Sequence, residues 1–305
     1  MALAGEGRAA QNPKEMRRAC VRASTALLSL VLALSSVSPT AARPARPRCF
    51  GERATILGTA SNEGLTGTEG DDVIVGLGGN DVIDARGGDD LVCGGRGNDH
   101  LVGYDAHDRL AGGRGDDVVE GDSGGGGFDE LLGGPGNDSL DGGVADDRLD
   151  GGTGIDLALW VEPGGALDID LTTGTASGVD GYDTLVLGTI ENVGIETVGY
   201  CRPHDDRVVG DAGPNALYTS NGNDTIFGGG GTDVLFGGQP GSQNNDIVCI
   251  REDGNDTIHG DDGDDIIYGQ GNDDALDGGV GSDLVYGGTG SDACINAENA
   301  QECES

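Results

Sequence analysis

Gly94-Gly95-Arg96-Gly97-Asn98-Asp99-His100-Leu101-Val102 is the plainest copy of a nine-residue pattern that recurs, with small changes, from near residue 58 to near residue 295 of this 305-residue chain. Self-similarity at a fixed period means that each copy is one structural unit, which can bury its apolar residue only by stacking on its neighbours. Copies begin at 67, 76, 85, 94, 103 and 112, resume after Gly121-Asp122-Ser123 at 124, 133, 142 and 151, and run again at 201, 210, 219, 228, 241, 251, 260, 269, 278 and 287. A degenerate copy at 58, with Glu63 where the others carry Asp, reads as a cap.

Two regularities run through these 20 copies, and they have different causes. Position eight is Val, Leu or Ile in 18 of the 20, with Ala158 and Cys294 departing. It must be the inward residue of a very short strand, and the aliphatic ladder made by stacking is the only core available. Position six is Asp in 19 of the 20, with Asn215 the exception. At ordinary strand spacing equivalent aspartates stand about 4.8 Å apart, and each like-charge contact costs about 0.9 kcal/mol even at the dielectric of water. A hard divalent ion that takes six to eight oxygens removes that repulsion, and calcium suits a ring of peptide oxygens better than magnesium does. Position four is Gly in 15 of the 20, which supplies the positive φ of a tight turn.

Composition agrees. The chain has 61 Gly, 4 % aromatic residues and a formal net charge of -37. So acidic a chain repels nucleic acid and attracts multivalent cations. Residues 1–42 read as a secretory signal, with Arg17, Arg18 and Arg22 ahead of an apolar run from Ala26 to Leu34 and a small-residue cleavage site at Thr40-Ala41-Ala42. Met16 is an alternative start. The apolar run is too short to span a bilayer. With Cys20 removed in the leader, six cysteines remain, and an even count in an exported chain points to disulfides, with 15 connectivities open. Cys49 with Cys93, Cys201 with Cys249 and Cys294 with Cys303 are the first choices. No C-x-x-C occurs, which argues against a zinc or redox site.

Gly94 to Val102, Gly112 to Glu120, Gly133 to Asp141 and Gly278 to Tyr286 fit G-G-x-G-x-D-x-U-x at every fixed position, and the chain thereby resembles the RTX, or haemolysin-type, calcium-binding repeat proteins. The resemblance implies an all-β, right-handed parallel β-roll in which two nonapeptides make one coil. It also implies Ca2+ between the turns of successive coils, held by the position-six Asp and backbone carbonyls. The candidate ligands are Asp72, Asp81, Asp90, Asp99, Asp117, Asp129, Asp138, Asp156, Asp224, Asp233, Asp246, Asp256, Asp265, Asp274, Asp283 and Asp292. Asp108, Asp147 and Asp206 are weaker candidates. Their copies replace the position-four Gly with Ala106, Ala145 and His204, and the same three carry Arg109, Arg148 and Arg207 at position seven. The expectation is that these turns hold calcium poorly, with the guanidinium partly neutralising the nearby Asp; solvated surface arginines are the plainer alternative.

The expected layout is a lead-in and cap at 43–57, a repeat block at 58–159, a strand-rich connector at 160–200, a second block at 201–295 and an acidic tail at 296–305. The alternation of Leu167-Asp168-Ile169-Asp170-Leu171 marks the connector as strand. Gly121-Asp122-Ser123-Gly124-Gly125 matches the G-x-S-x-G elbow by letter, but no strand-to-helix unit follows it and the four histidines are scattered through repeats. In paired acids such as Asp116-Asp117, position five is expected to face solvent and position six the metal. The sequons at Asn137, Asn223 and Asn255 fall inside turns and read as repeat composition. The chain is thus expected to be a monomeric, secreted, non-enzymatic calcium-binding protein with a structural or interaction role. A hydrolase with its site in the connector or the 121–127 insertion, and an adhesin with a cell-surface or matrix partner, stand as alternatives.

Overall fold

Along each copy, residues seven and nine point outward and residue eight inward, so three residues of strand bury one side chain. The computed structural model, which describes residues 46–122, 126–161, 163–196, 203–238 and 254–303, stacks these short strands into two long sheets of 12 and 14 strands. Among the described residues there is no helix. Successive copies alternate between the sheets, so that partners within one sheet lie two copies apart: Ile74 pairs with Val92, and Ile83 with Leu101. The coil is therefore a pair of nonapeptides in a parallel β-solenoid.

The core is the expected ladder. Ile74, Val92, Leu110, Leu131 and Leu149 from one sheet meet Ile83, Leu101, Val119, Leu140 and Ala158 from the other, and all are fully buried. The same core continues through the connector to Val285. Four strands of the larger sheet, Leu91–Arg96, Arg109–Arg114, Glu130–Pro135 and Arg148–Thr153, run six residues rather than the expected three. Their pairing carries on through the Gly-Gly step, as at Gly95 with Gly113, because no side chain there forces the coils apart.

At the N-terminal end an antiparallel pair, Arg48–Cys49 with Glu52–Arg53, lies against the outer side of the larger sheet. Cys49, Phe50 and Ala54 pack there on Val73, Val75, Leu91 and Cys93. The Cys49–Cys93 disulfide ties this segment to an early coil, and Cys294–Cys303 closes the last one, both as expected. The Cys201–Cys249 pairing, the leader at 1–42 and Asp246 lie outside the described residues. Beyond residue 295 the strand Asn299–Gln301 still pairs with Leu284–Tyr286.

The stretch between the two runs of repeats belongs to the solenoid, but unevenly. On the smaller sheet, Leu157–Val161 pairs with Asn192–Glu196, which pairs directly with Ala216–Tyr218. On the larger sheet three strands fill the matching interval: Tyr182–Leu185 beside Arg148–Thr153, then the antiparallel Thr175–Ser177, then Asp168–Asp170 beside Arg207–Val209. The chain runs ahead, doubles back and resumes, which accounts for the two additional strands of the larger sheet.

Candidate metal centre: two columns of turn aspartates

The turns between sheets carry position six, and stacking sets it in two columns. One holds Asp72, Asp90, Asp108, Asp129 and Asp147 and resumes at Asp206, Asp224, Asp256, Asp274 and Asp292; the other holds Asp81, Asp99, Asp117, Asp138 and Asp156 and resumes at Asn215, Asp233, Asp265 and Asp283. None of these aspartates is more than 7 % exposed. In each column Oδ1 accepts the backbone N–H of the same position one coil earlier, as Asp99 does from Asp81 at 2.8 Å and Asp117 from Asp99 at 2.7 Å. That bond locks coil to coil and uses one oxygen.

The other oxygen turns inward against the first glycine of its own copy: a Cβ on Gly94 would stand 2.4 Å from Asp99 Oδ2. Gly121, which the repeat count sets aside as part of an insertion, fills this place for Asp129. In 17 of the aspartates Oδ2 is buried with no hydrogen-bond partner. Native proteins rarely leave such a group bare, and a charged one least of all. Asp72 is different, because Thr55 and Thr68 donate to its two oxygens.

The carbonyls of the preceding coil crowd the same turn. A Cβ on Gly97 would stand 2.1 Å from Gly79 O, and one on Gly95 2.6 Å from Leu77 O. Among the described residues no three His, Cys, Asp or Glu side chains form a metal-holding group. An ion here must complete its shell from carbonyl oxygens, which suits a hard cation such as calcium and not a zinc-like metal. The donor set therefore fits calcium.

Electrostatics agree. Burial, with repulsion from the neighbouring acids, raises Asp108 and Asp147 to about 8 and Asp90, Asp117 and Asp206 to about 7. At Asp72 the threonine bonds outweigh burial and hold the carboxyl below its ordinary value. A column of desolvated carboxylates without cations resists ionisation.

The model of the RTX calcium-binding nonapeptide repeat (4 copies) matches residues 66–101, 102–124, 123–158, 204–239, 252–285 and 271–294, more than half of the chain. The chain belongs to the RTX calcium-binding repeat family. No curated protein matches it.

Within this RTX roll two of the three position-four departures in the arginine-bearing copies preserve the shape of the turn. Ala106 and Ala145 keep the left-handed conformation that the position-four glycine would have, at φ 87 and 99°. The arginines of those copies do not serve the turns. Arg109 Nε binds Glu130 Oε2 at 2.6 Å and lies over the Phe50 ring, Arg148 binds Glu130 and Asp150, and Arg207 binds Asp168. Position seven lies on the outer sheet face, so a guanidinium there meets outward acids of adjacent strands. The expected neutralisation of Asp108, Asp147 and Asp206 does not occur, and their Oδ2 atoms are as unpaired as those of the other repeats.

Position five also does more than face solvent. Asn80 Oδ1 accepts the N–H of Asn98, Asn98 that of Asp116, and Asp116 that of Asn137, a second ladder running opposite to the first. The sequon asparagines Asn137, Asn223 and Asn255 are members of it. Four further acids extend the two aspartate columns: Glu63 at the start, Asp183 and Glu191 in the connector and Glu298 at the end. Only Glu63 was visible by register. Asp183 and Glu191 were marked by an acid two residues before a core aliphatic, Leu185 and Val193.

Proposed function

We propose that this is an exported calcium-binding protein whose repeats roll up on Ca2+ and which then serves as a structural or interaction element. The observation that carries the reading is the set of 17 buried, unpaired Oδ2 atoms spaced one per turn. The position-six aspartates named above would hold the ions together with turn carbonyls, and Asp246 is the remaining candidate. Bound calcium supplies the positive charge that lets these carboxylates stay ionised inside the turns. Without it, the repeats are expected to be expanded, so ion binding and folding are one process. Export is supported by the leader-like residues 1–42 and by disulfides at both ends of the roll, which belong to an oxidising compartment.

Calcium titration followed by far-ultraviolet circular dichroism and calorimetry tests this. A cooperative gain of β signal with more than ten ions per chain is expected, counting about one per unpaired turn. A β-rich spectrum indifferent to chelator would overturn the reading.

A further inference from the structure

The connector differs from the repeats in how its turn acids are satisfied. Asp183 occupies the column place one coil beyond Asp147 and is buried like the rest. Its Oδ1 accepts the N–H of Asp147 at 3.0 Å, as Asp99 does from Asp81, but its Oδ2 accepts the indole N–H of Trp160 at 3.0 Å. The opposite column shows the same relief. Glu191, only half-buried, accepts the N–H of Asp156 at 2.8 Å. Asn215 is neutral, with Nδ2 donating to Glu191 O at 2.7 Å and Oδ1 accepting from Asp211 N–H at 2.9 Å. None of the three has an unpaired buried oxygen.

The same interval is richer in core. Of the 37 described residues from Ala158 to Ile195 ten are apolar and buried, against eight of the 63 described residues from Val208 to Val285. The inserted strands centred on Ile169 and Ala176 fill the larger sheet with apolar side chains and place no acid inside.

We propose that this joint is a calcium-independent core, in which the Trp160 indole N–H takes at Asp183 the place that a cation takes at the repeat turns. The joint then persists when calcium is withdrawn, and both runs of repeats roll up against a surface already formed. This rests on the calcium reading of the repeats given above.

Trp160 is the chain's single tryptophan, so its fluorescence reports the joint while circular dichroism reports the repeats. In the full chain, excess EGTA should collapse the β signal yet leave Trp160 emission blue-shifted, with amides of 157–196 still protected from hydrogen exchange. Emission that shifts red in step with the lost β signal overturns the proposal and leaves the calcium reading intact. A β signal unmoved by EGTA overturns both. The variant Trp160→Phe removes the donor and keeps an aromatic body; amides of 182–196 should then exchange at least tenfold faster in EGTA and regain protection in calcium. Asp183→Asn, which keeps the fluorophore, should make Trp160 emission calcium-sensitive. Unchanged protection in the first variant, or unchanged emission in the second should the first not fold, overturns the role given to the indole.

Discussion

Replacing Asp117 with asparagine removes one charge from the middle of a column and keeps the shape of the side chain. Asp117 stands between Asp99 and Asp138, both of which act on it as like charges. At a coil spacing of about 4.8 Å each neighbour contributes about 0.9 kcal/mol of repulsion at the dielectric of water, so the pair contributes about 1.7 kcal/mol, a lower limit inside a turn. Burial holds Asp117 at about 7, so the comparison belongs at pH 8.5, where the group is ionised. The chain already contains the product of this substitution at Asn215, where the amide satisfies both its atoms within the protein. In EGTA, amides of the coils around residue 117 should therefore exchange about 20-fold more slowly in Asp117→Asn than in the parent, the equivalent of that repulsion. In calcium the variant should bind fewer ions, with a midpoint at higher calcium. The reasoning is refuted if ion number and midpoint are unchanged, or if the calcium-free variant is the less protected of the two.

Three further outcomes are expected. Leu131→Ala opens the ladder between Leu110 and Leu149, all fully buried, and should lower stability in calcium by about 2–5 kcal/mol in urea unfolding; a loss under 0.5 kcal/mol would show that the ladder is not the core. Burial raises carboxyls such as Asp99, Asp117 and Asp108 to about 6, 7 and 8, so calcium-free folding takes up protons; the associated stability is complete below about pH 4 and is lost as pH rises through 6 to 8. The β signal in EGTA should accordingly grow from pH 8.5 to 5 while the calcium midpoint moves upward, and a signal that falls on acidification would contradict this. Arg109→Gln should leave the number of bound ions unchanged, because Arg109 pairs with Glu130 on a half-exposed sheet face, and should cost no more than about 1 kcal/mol by thermal unfolding; a gained or lost ion would place the guanidinium back at the turn.

The period made most of the fold legible, since an aliphatic residue at position eight and an acid at position six each have a single place to go once coils stack. Position five faces solvent as expected, but its ladder was hidden because the bond it accepts comes from the next coil, and nothing local distinguishes a solvated Asn80 from one bonded to Asn98. The partners of the arginines, which lie on the surface as the plainer alternative had it, were hidden for a related reason: Arg109 meets Glu130 across 21 residues rather than the usual 18. The connector announced strands through Leu167-Asp168-Ile169-Asp170-Leu171, but alternation does not say which partner a strand takes. That Asp168–Asp170 reaches past its own coil to Arg207–Val209, leaving an antiparallel strand behind it, depends on contacts far apart in sequence. The role of Trp160 was likewise hidden, because its partner Asp183 comes 23 residues later.

Paired strands stand 18 residues apart in most of the roll, yet Val118 pairs with Ser139 across 21 residues and Thr225 with Thr257 across 32, both with inward residues aligned. The strands on either side of each surplus keep the same register. The roll thus measures itself in coils and is indifferent to the length of chain between them. Foreign peptide placed at residues 121–127 would be carried on a rail whose rungs do not move, and its distance from a second peptide would be set by the number of coils between the two.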